Sequence, residues 1–89
     1  MIKKVIVGIN PTKISQGTEP KTLIIINASD AIVYLGTNAM IAADGLPIEA
    51  ISGTTYGKYV NYYAKGDYYL YAAADGKTVY VEDGGNSIQ

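Results

Sequence analysis

The sequence predicts an all-β domain, a small antiparallel β-sandwich or barrel of about seven or eight short strands. Runs rich in Val, Ile, Thr and Tyr recur along the chain, and turn-forming Gly, Asn, Asp and Pro separate them. No window of about ten or more residues shows the periodicity of an amphipathic helix. The 89 residues suffice for one domain, which we place at residues 1–82, followed by a polar tail at residues 83–89.

The first half of the chain contains the most apolar predicted strands. An alternating strand is expected over residues 2–9, and a weaker one over residues 12–16. Residues 21–27 (KTLIIIN) form the strongest strand, and because they are apolar on both faces we expect a central position in a sheet. Residues 31–36 (AIVYLG) are also apolar on both faces, and we expect them to pair with residues 21–27 as a hairpin.

The middle of the chain, residues 37–53, is less regular. Ala39 to Ala43 could form a single helical turn, which is too short to be stable alone. Pro47 cannot donate a backbone hydrogen bond, so we expect it at a sheet edge or at a strand start.

Three further strands are predicted in the second half, over residues 57–64, 68–74 and 77–82. Lys65-Gly66-Asp67 forms the turn between the first two. Asp75-Gly76 is a typical tight-hairpin pair, which predicts that the last two strands are direct neighbours.

Tyrosine dominates the aromatic content of this chain, with nine Tyr and no Trp, Phe, His or Cys. Strand alternation places one set of tyrosines together as an outward ladder: Tyr59, Tyr63, Tyr69, Tyr71 and Tyr80. The same alternation directs a set of aliphatic residues to the core: Val60, Leu70, Val79 and Val81. A register shift of one residue would reverse these assignments.

Three interpretations of the tyrosine ladder stay open. The side chains could form cross-strand pairs that cover a sheet, or contact another protein, since Tyr is enriched at interface cores. They could also stack against sugar rings. If the ladder is a protein interface, its five tyrosines are the first candidate contacts. The apolar N-terminal strand, with Val5, Val7 and Ile9 on one face, is the second.

Composition argues against an enzyme. Without His or Cys, the chain lacks the usual general base, the thiol nucleophile and the zinc-thiolate ligands. Most of its aspartates, including Asp30, Asp67 and Asp75, fall in turn sequences where the carboxylate binds local backbone. The stretch from Glu82 to Asn86 lacks the ligand spacing of a calcium loop. We therefore expect no catalytic residues, no cofactor and no metal.

Charge and hydropathy limit the possible partners. The formal net charge is −1 and the chain has no Arg, so we expect no nucleic-acid binding. The apolar run at the N-terminus is too short for a signal peptide, and no stretch reaches the roughly 20 apolar residues that span a bilayer. We expect synthesis in the cytoplasm and no membrane partner. Small domains often gain stability by association, which favours a homo-oligomer.

The order of four motifs gives a more specific expectation. NASD at residues 27–30 is followed by VYLG at 33–36, DGLPI at 44–48 and DYYLYAAA at 67–74. In this order they resemble small structural proteins of tailed bacteriophages, of the head-fibre and capsid-decoration type, over about residues 11–82. The resemblance implies a non-enzymatic virion protein on the head surface, bound to the major capsid protein or other virion proteins. It also implies many copies as a homo-oligomer, with a trimer among the assemblies that shell symmetry allows.

Two other functions stay open at this stage. The aromatic face could belong to a module that binds a host surface or glycan, with Asn61 between Tyr59 and Tyr63 as the polar neighbourhood such a site needs. Alternatively, the chain could be a tail or connector component, which differs from a head protein only in its location.

Overall fold

The computed structural model of this protein describes residues 2–16, 19–37 and 45–83, and every element in these ranges is a β-strand, as predicted. The eight strands are β1 (Ile2–Val7), β2 (Thr12–Ser15), β3 (Lys21–Asn27), β4 (Val33–Gly36), β5 (Leu46–Ile48), β6 (Gly57–Ala64), β7 (Tyr68–Ala72) and β8 (Lys77–Asp83). The predicted bounds of β3 and β6 are confirmed, whereas β1 ends two residues earlier than expected and β8 includes Asp83, which we had assigned to the tail. The predicted helical turn at residues 39–43 lies outside the described residues.

The strands form two antiparallel four-stranded sheets. Sheet A has the order β1-β8-β3-β6 and sheet B the order β2-β7-β4-β5. The sheets stay open and face each other as a sandwich. These two orders are those of the eight-stranded jelly roll, in which the chain passes repeatedly between the sheets. The edge position predicted for Pro47 is confirmed, because β5 is an edge strand.

Both predicted hairpins are wrong, because the two strands of each lie in different sheets. β3 lies in sheet A beside β8 and β6, while β4 lies in sheet B beside β7 and β5. The Asp75-Gly76 turn likewise carries the chain from β7 in sheet B to β8 in sheet A. Among the eight strands, β4 and β5 alone are both consecutive and paired. Local turn chemistry thus marked where the chain reverses, but not which sheet the next strand enters.

Asn27 holds the crossing between β3 and β4. Its fully buried amide donates to the carbonyl oxygens of Ala31 (2.8 Å), Ile48 (3.1 Å) and Glu49 (3.0 Å). Its side-chain oxygen accepts from the backbone N–H (2.9 Å) and the hydroxyl (2.7 Å) of Ser29. Because these bonds satisfy the backbone of a corner, the segment turns into the second sheet and does not close a tight hairpin.

Asp75 holds the crossing at β7–β8. Its Oδ1 accepts a 3.0 Å hydrogen bond from the backbone N–H of Ile9, and the Ala72 N–H donates to the Gly8 carbonyl at 2.9 Å. A side chain at Gly8 would overlap the Asp75 carboxylate, so the close approach requires glycine there. The carboxylate of this turn therefore ties the end of β1 to the end of β7.

The core lies between the inner faces of the two sheets. Leu70, Val79 and Val81 are fully buried there, which confirms three of the four predicted core residues. The prediction for Val60 is wrong: it pairs with Ile24 on the outer face of sheet A and is 38% exposed. The inner side of β3 presents Leu23 and Ile25, so a residue paired with Ile24 has to point outward.

Candidate functional site

The predicted tyrosine ladder does not form one surface. Tyr59 lies on the inner side of β6 and packs against the core. Tyr69 and Tyr71 lie on the outer face of sheet B, whereas Tyr80 lies on the outer face of sheet A. Tyr63 is 70% exposed next to a register shift at the end of β6. The ladder prediction is wrong because it treated strands of two opposed sheets as members of one.

The N-terminal strand presents a different face from the one predicted. Val7 is fully buried and Val5 packs against the core, so these two side chains fill the domain interior. Ile9 lies beyond the end of β1 and is half exposed. The opposite side of β1 carries Ile2 and Ile6 into solvent.

The outer face of sheet A carries a cluster of exposed and half-buried apolar side chains. We call it the isoleucine face, and it comprises Ile2, Ile6, Ile24, Ile26, Val60 and Tyr80. In the register, Ile26 lies opposite Tyr80 on one side, and Ile24 lies opposite Val60 on the other. Ile2 and Ile6 on β1 are 65% and 54% exposed. The core already covers the inner side of this sheet, so these side chains are apolar residues that the fold itself does not bury.

A shallow hollow lies in the isoleucine face. It has a volume of about 340 Å³ and is lined by Ile2, Thr22, Ile24, Ile26, Tyr80 and Glu82. Three charged residues, Lys4, Lys58 and Glu82, share the outer side of the sheet with it. An apolar surface with few charges around it is typical of a contact between macromolecules.

Sequence reasoning missed most of this face, although a signal was present. Residues 21–27 are apolar on both sides, which led us to predict a central strand. The strand is central, but its second apolar side lies on the outside of the sandwich. In a two-layer fold, a strand that is apolar on both faces therefore predicts an apolar outer surface as well as a contribution to the core.

The outer face of sheet B is already occupied by its own contacts. The rings of Tyr34 and Tyr71 are 6.2 Å apart at an angle of 43°, and the Lys13 ammonium lies 5.8 Å from the centre of the Tyr69 ring. Lys13 also lies 3.6 Å from the Asp67 carboxylate. These are the cross-strand pairs that one interpretation of the tyrosines expected.

The polar neighbourhood expected for a glycan site is also engaged within the chain. The Asn61 amide donates to the Tyr59 hydroxyl at 3.1 Å, and its oxygen accepts from the Tyr63 backbone N–H at 2.9 Å. Tyr59 is partly buried against the core whereas Tyr63 is 70% exposed, so the two rings do not lie side by side on one exposed surface.

Four aspartates in the described ranges make structural contacts: Asp30, Asp67, Asp75 and Asp83. Lys77 donates a 2.9 Å hydrogen bond to Asp30, and this bond, together with the lysine charge, holds the pKa of that carboxyl below its ordinary value. Lys21 lies 3.2 Å from Asp83. Within residues 2–16, 19–37 and 45–83 there is no group of three potential metal ligands and no helix long and apolar enough to cross a membrane.

Comparison of the chain with protein-family models, with curated protein sequences and with solved structures found no match.

Proposed function

We propose that this protein is a non-enzymatic structural component of a tailed-phage virion. It acts as a capsid decoration or head-fibre protein that binds the assembled head through the isoleucine face. The observation that carries the proposal is an apolar outer sheet face on a domain whose core is complete without it. The motif order described above supports the virion assignment.

The size of the face indicates how such binding would work. Four strands about 4.8 Å apart and about six residues long cover roughly 400 Å². About half of that area is apolar, because charged and threonine side chains share the face, so its burial contributes on the order of 5 kcal/mol before any cost. The loss of translational and rotational freedom costs about 4–15 kcal/mol, so one isolated face binds weakly. Stable attachment would therefore depend on several faces acting together, which a shell of repeated subunits provides.

The charged residues would set the orientation of the contact. Lys4 and Lys58 lie on the two edge strands of sheet A, and Glu82 lies on β8 between them. Such charges at a rim steer association and disfavour wrong partners more than they add affinity. A protein that binds the assembled shell but not its separate subunits stabilises the shell by mass action. This is the mechanism that we propose for the present protein.

The proposal is tested by locating the chain on intact particles with a gold-labelled antibody and electron microscopy. Labels spread over the heads, and removed by excess purified protein, are the expected result. Labels confined to the tail would instead favour the tail or host-binding alternatives. Particles without any label, from lysates in which the chain is detected, would overturn the virion assignment.

A further inference from the structure

The sandwich has four edge strands, and three of them carry features that oppose pairing with another strand. β1 carries Lys3 and Lys4, and β2 has four residues with a register shift between Lys13 and Ser15. β5 has three residues and contains Pro47. Lysines, short length, irregular register and proline are the usual means by which proteins keep sheet edges from associating.

β6 carries these features least. It has eight residues, pairs only with β3 among the described strands, and carries one charge, Lys58, while its register shift is confined to the end of the strand, between Asn61 and Ala64. Val60, Tyr62 and Tyr63 are all exposed along it, with Tyr62 78% exposed. A long edge strand with an unpaired backbone and exposed β-forming side chains is a template for another strand.

We propose that β6 pairs antiparallel with β6 of a second copy of this chain, about a two-fold axis at Val60. The two A sheets then form one continuous eight-stranded sheet. In this register Val60 lies opposite the partner's Val60, Lys58 opposite the partner's Tyr62, and Tyr59 opposite the partner's Asn61. Outward residues meet outward residues and inward meet inward, as a continuous sheet requires.

Registers with the axis at Lys58 or at Asn61, or with an odd offset, satisfy these conditions less well. A two-fold axis at Lys58 places two lysine side chains directly opposite each other, which is destabilising. An axis at Asn61 places the outward Lys58 against Ala64, which is buried because β6 shifts register between Asn61 and Ala64. An offset of one residue sets outward side chains against inward ones. The axis at Val60 uses the regular part of β6, residues 58–62, and ends before the irregularity.

Pairing would also enlarge the isoleucine face. Val60, Ile24 and Ile26 of each copy become parts of one surface, whose area doubles to about 800 Å², the typical contribution of one partner to a stable interface. The inference specifies the homo-oligomer that the sequence led us to expect, and it goes beyond the proposed function. Its test uses purified protein without particles, so its failure would leave the localisation result unaffected.

The test exploits the lack of cysteine in this chain. Directly opposite residues of an antiparallel pair have Cα atoms about 4.5–5.5 Å apart, within the range that a disulfide spans. A Val60→Cys variant should therefore form a disulfide-linked dimer on oxidation. The control is Ile6→Cys, an exposed residue on the same outer face but on the opposite edge strand. At about 10 μM protein, Val60→Cys should cross-link about a hundredfold faster, because pairing raises the effective concentration of its thiol to about millimolar.

Sedimentation gives an independent measurement. The unmodified protein should have twice the 9.5 kDa mass of one chain. Val60→Lys should be a monomer and Ile6→Lys should remain a dimer, with circular dichroism verifying that each is folded. If Val60→Lys fails to fold, Tyr62→Lys replaces it. A monomeric or trimeric unmodified protein, or equal cross-linking of the two cysteine variants, would overturn the proposal.

Discussion

The buried Asn27 side chain donates a 3.1 Å hydrogen bond to the Ile48 carbonyl oxygen and so joins the end of β3 in sheet A to the end of β5 in sheet B. These residues are 21 positions apart, and the bond is one of five that the same amide makes. The Asn27 side chain thus provides hydrogen-bond partners for the backbone where the chain passes between the two sheets.

Replacing Asn27 with Ala should lower the free energy of unfolding by about 3 kcal/mol or more, since several buried polar groups lose their partner. Urea denaturation followed by circular dichroism measures the change. Asn61→Ala is the matched control: its amide is half-buried and near solvent, so we expect a loss of about 1 kcal/mol. Equal effects at the two positions would contradict the role assigned to Asn27.

Gly57 lies opposite Asn27 in the register, and the backbone of Glu49, the residue after β5, lies against it. A Cβ at this position would overlap the Glu49 carbonyl oxygen, so Gly57→Ala should cost about 3 kcal/mol through forced backbone movement. The comparison is Gly53→Ala, where space is open but φ is +63°. There we expect a conformational cost of about 1 kcal/mol. Thermal unfolding of both variants measures the difference, and a Gly57 variant no less stable than the Gly53 variant would rule out this close contact.

The Asp30–Lys77 pair should be visible in a pH titration. The hydrogen bond from Lys77, followed by its charge, holds the pKa of Asp30 below the ordinary 3.8. A depressed carboxyl pKa gives stability that is present above the ordinary value and is lost as pH falls through the folded-state pKa. Because Asp30 is highly exposed, we expect a small contribution to stability.

Lys77→Met should return the pKa of Asp30 toward its ordinary value, measured by NMR titration of the side-chain carboxyl. Lys65→Met removes one positive charge from the β6–β7 turn and serves as the control. If the two variants titrate alike at Asp30, the Lys77 contact is not the cause of the depressed pKa.

Attachment to particles should depend on sheet A and not on sheet B. The double variant Ile2→Ser and Ile6→Ser removes two exposed apolar side chains from the isoleucine face, and we expect at least about a tenfold loss of binding to particles that lack the protein. The double variant Tyr69→Ser and Tyr71→Ser alters the outer face of sheet B and should bind as the unmodified protein does. Co-sedimentation with particles measures both, and the reverse pattern would move the contact to sheet B.

Local sequence patterns were enough to predict the all-β class, the bounds of β3 and β6, and the burial of Leu70, Val79 and Val81. These properties follow from alternation and turn chemistry over a few neighbouring residues, which act locally. The sheet that each strand joins depends on the folded arrangement, and so do the outward direction of Val60, the inward direction of Tyr59 and the separation of Tyr80 from Tyr71. Strand partners are chosen by contacts between distant residues, such as Asn27 with Ile48, and one register shift in β6 changes which side chains face out. The isoleucine face depends on that choice, because β1, β3, β6 and β8 meet only after the chain has crossed between the sheets.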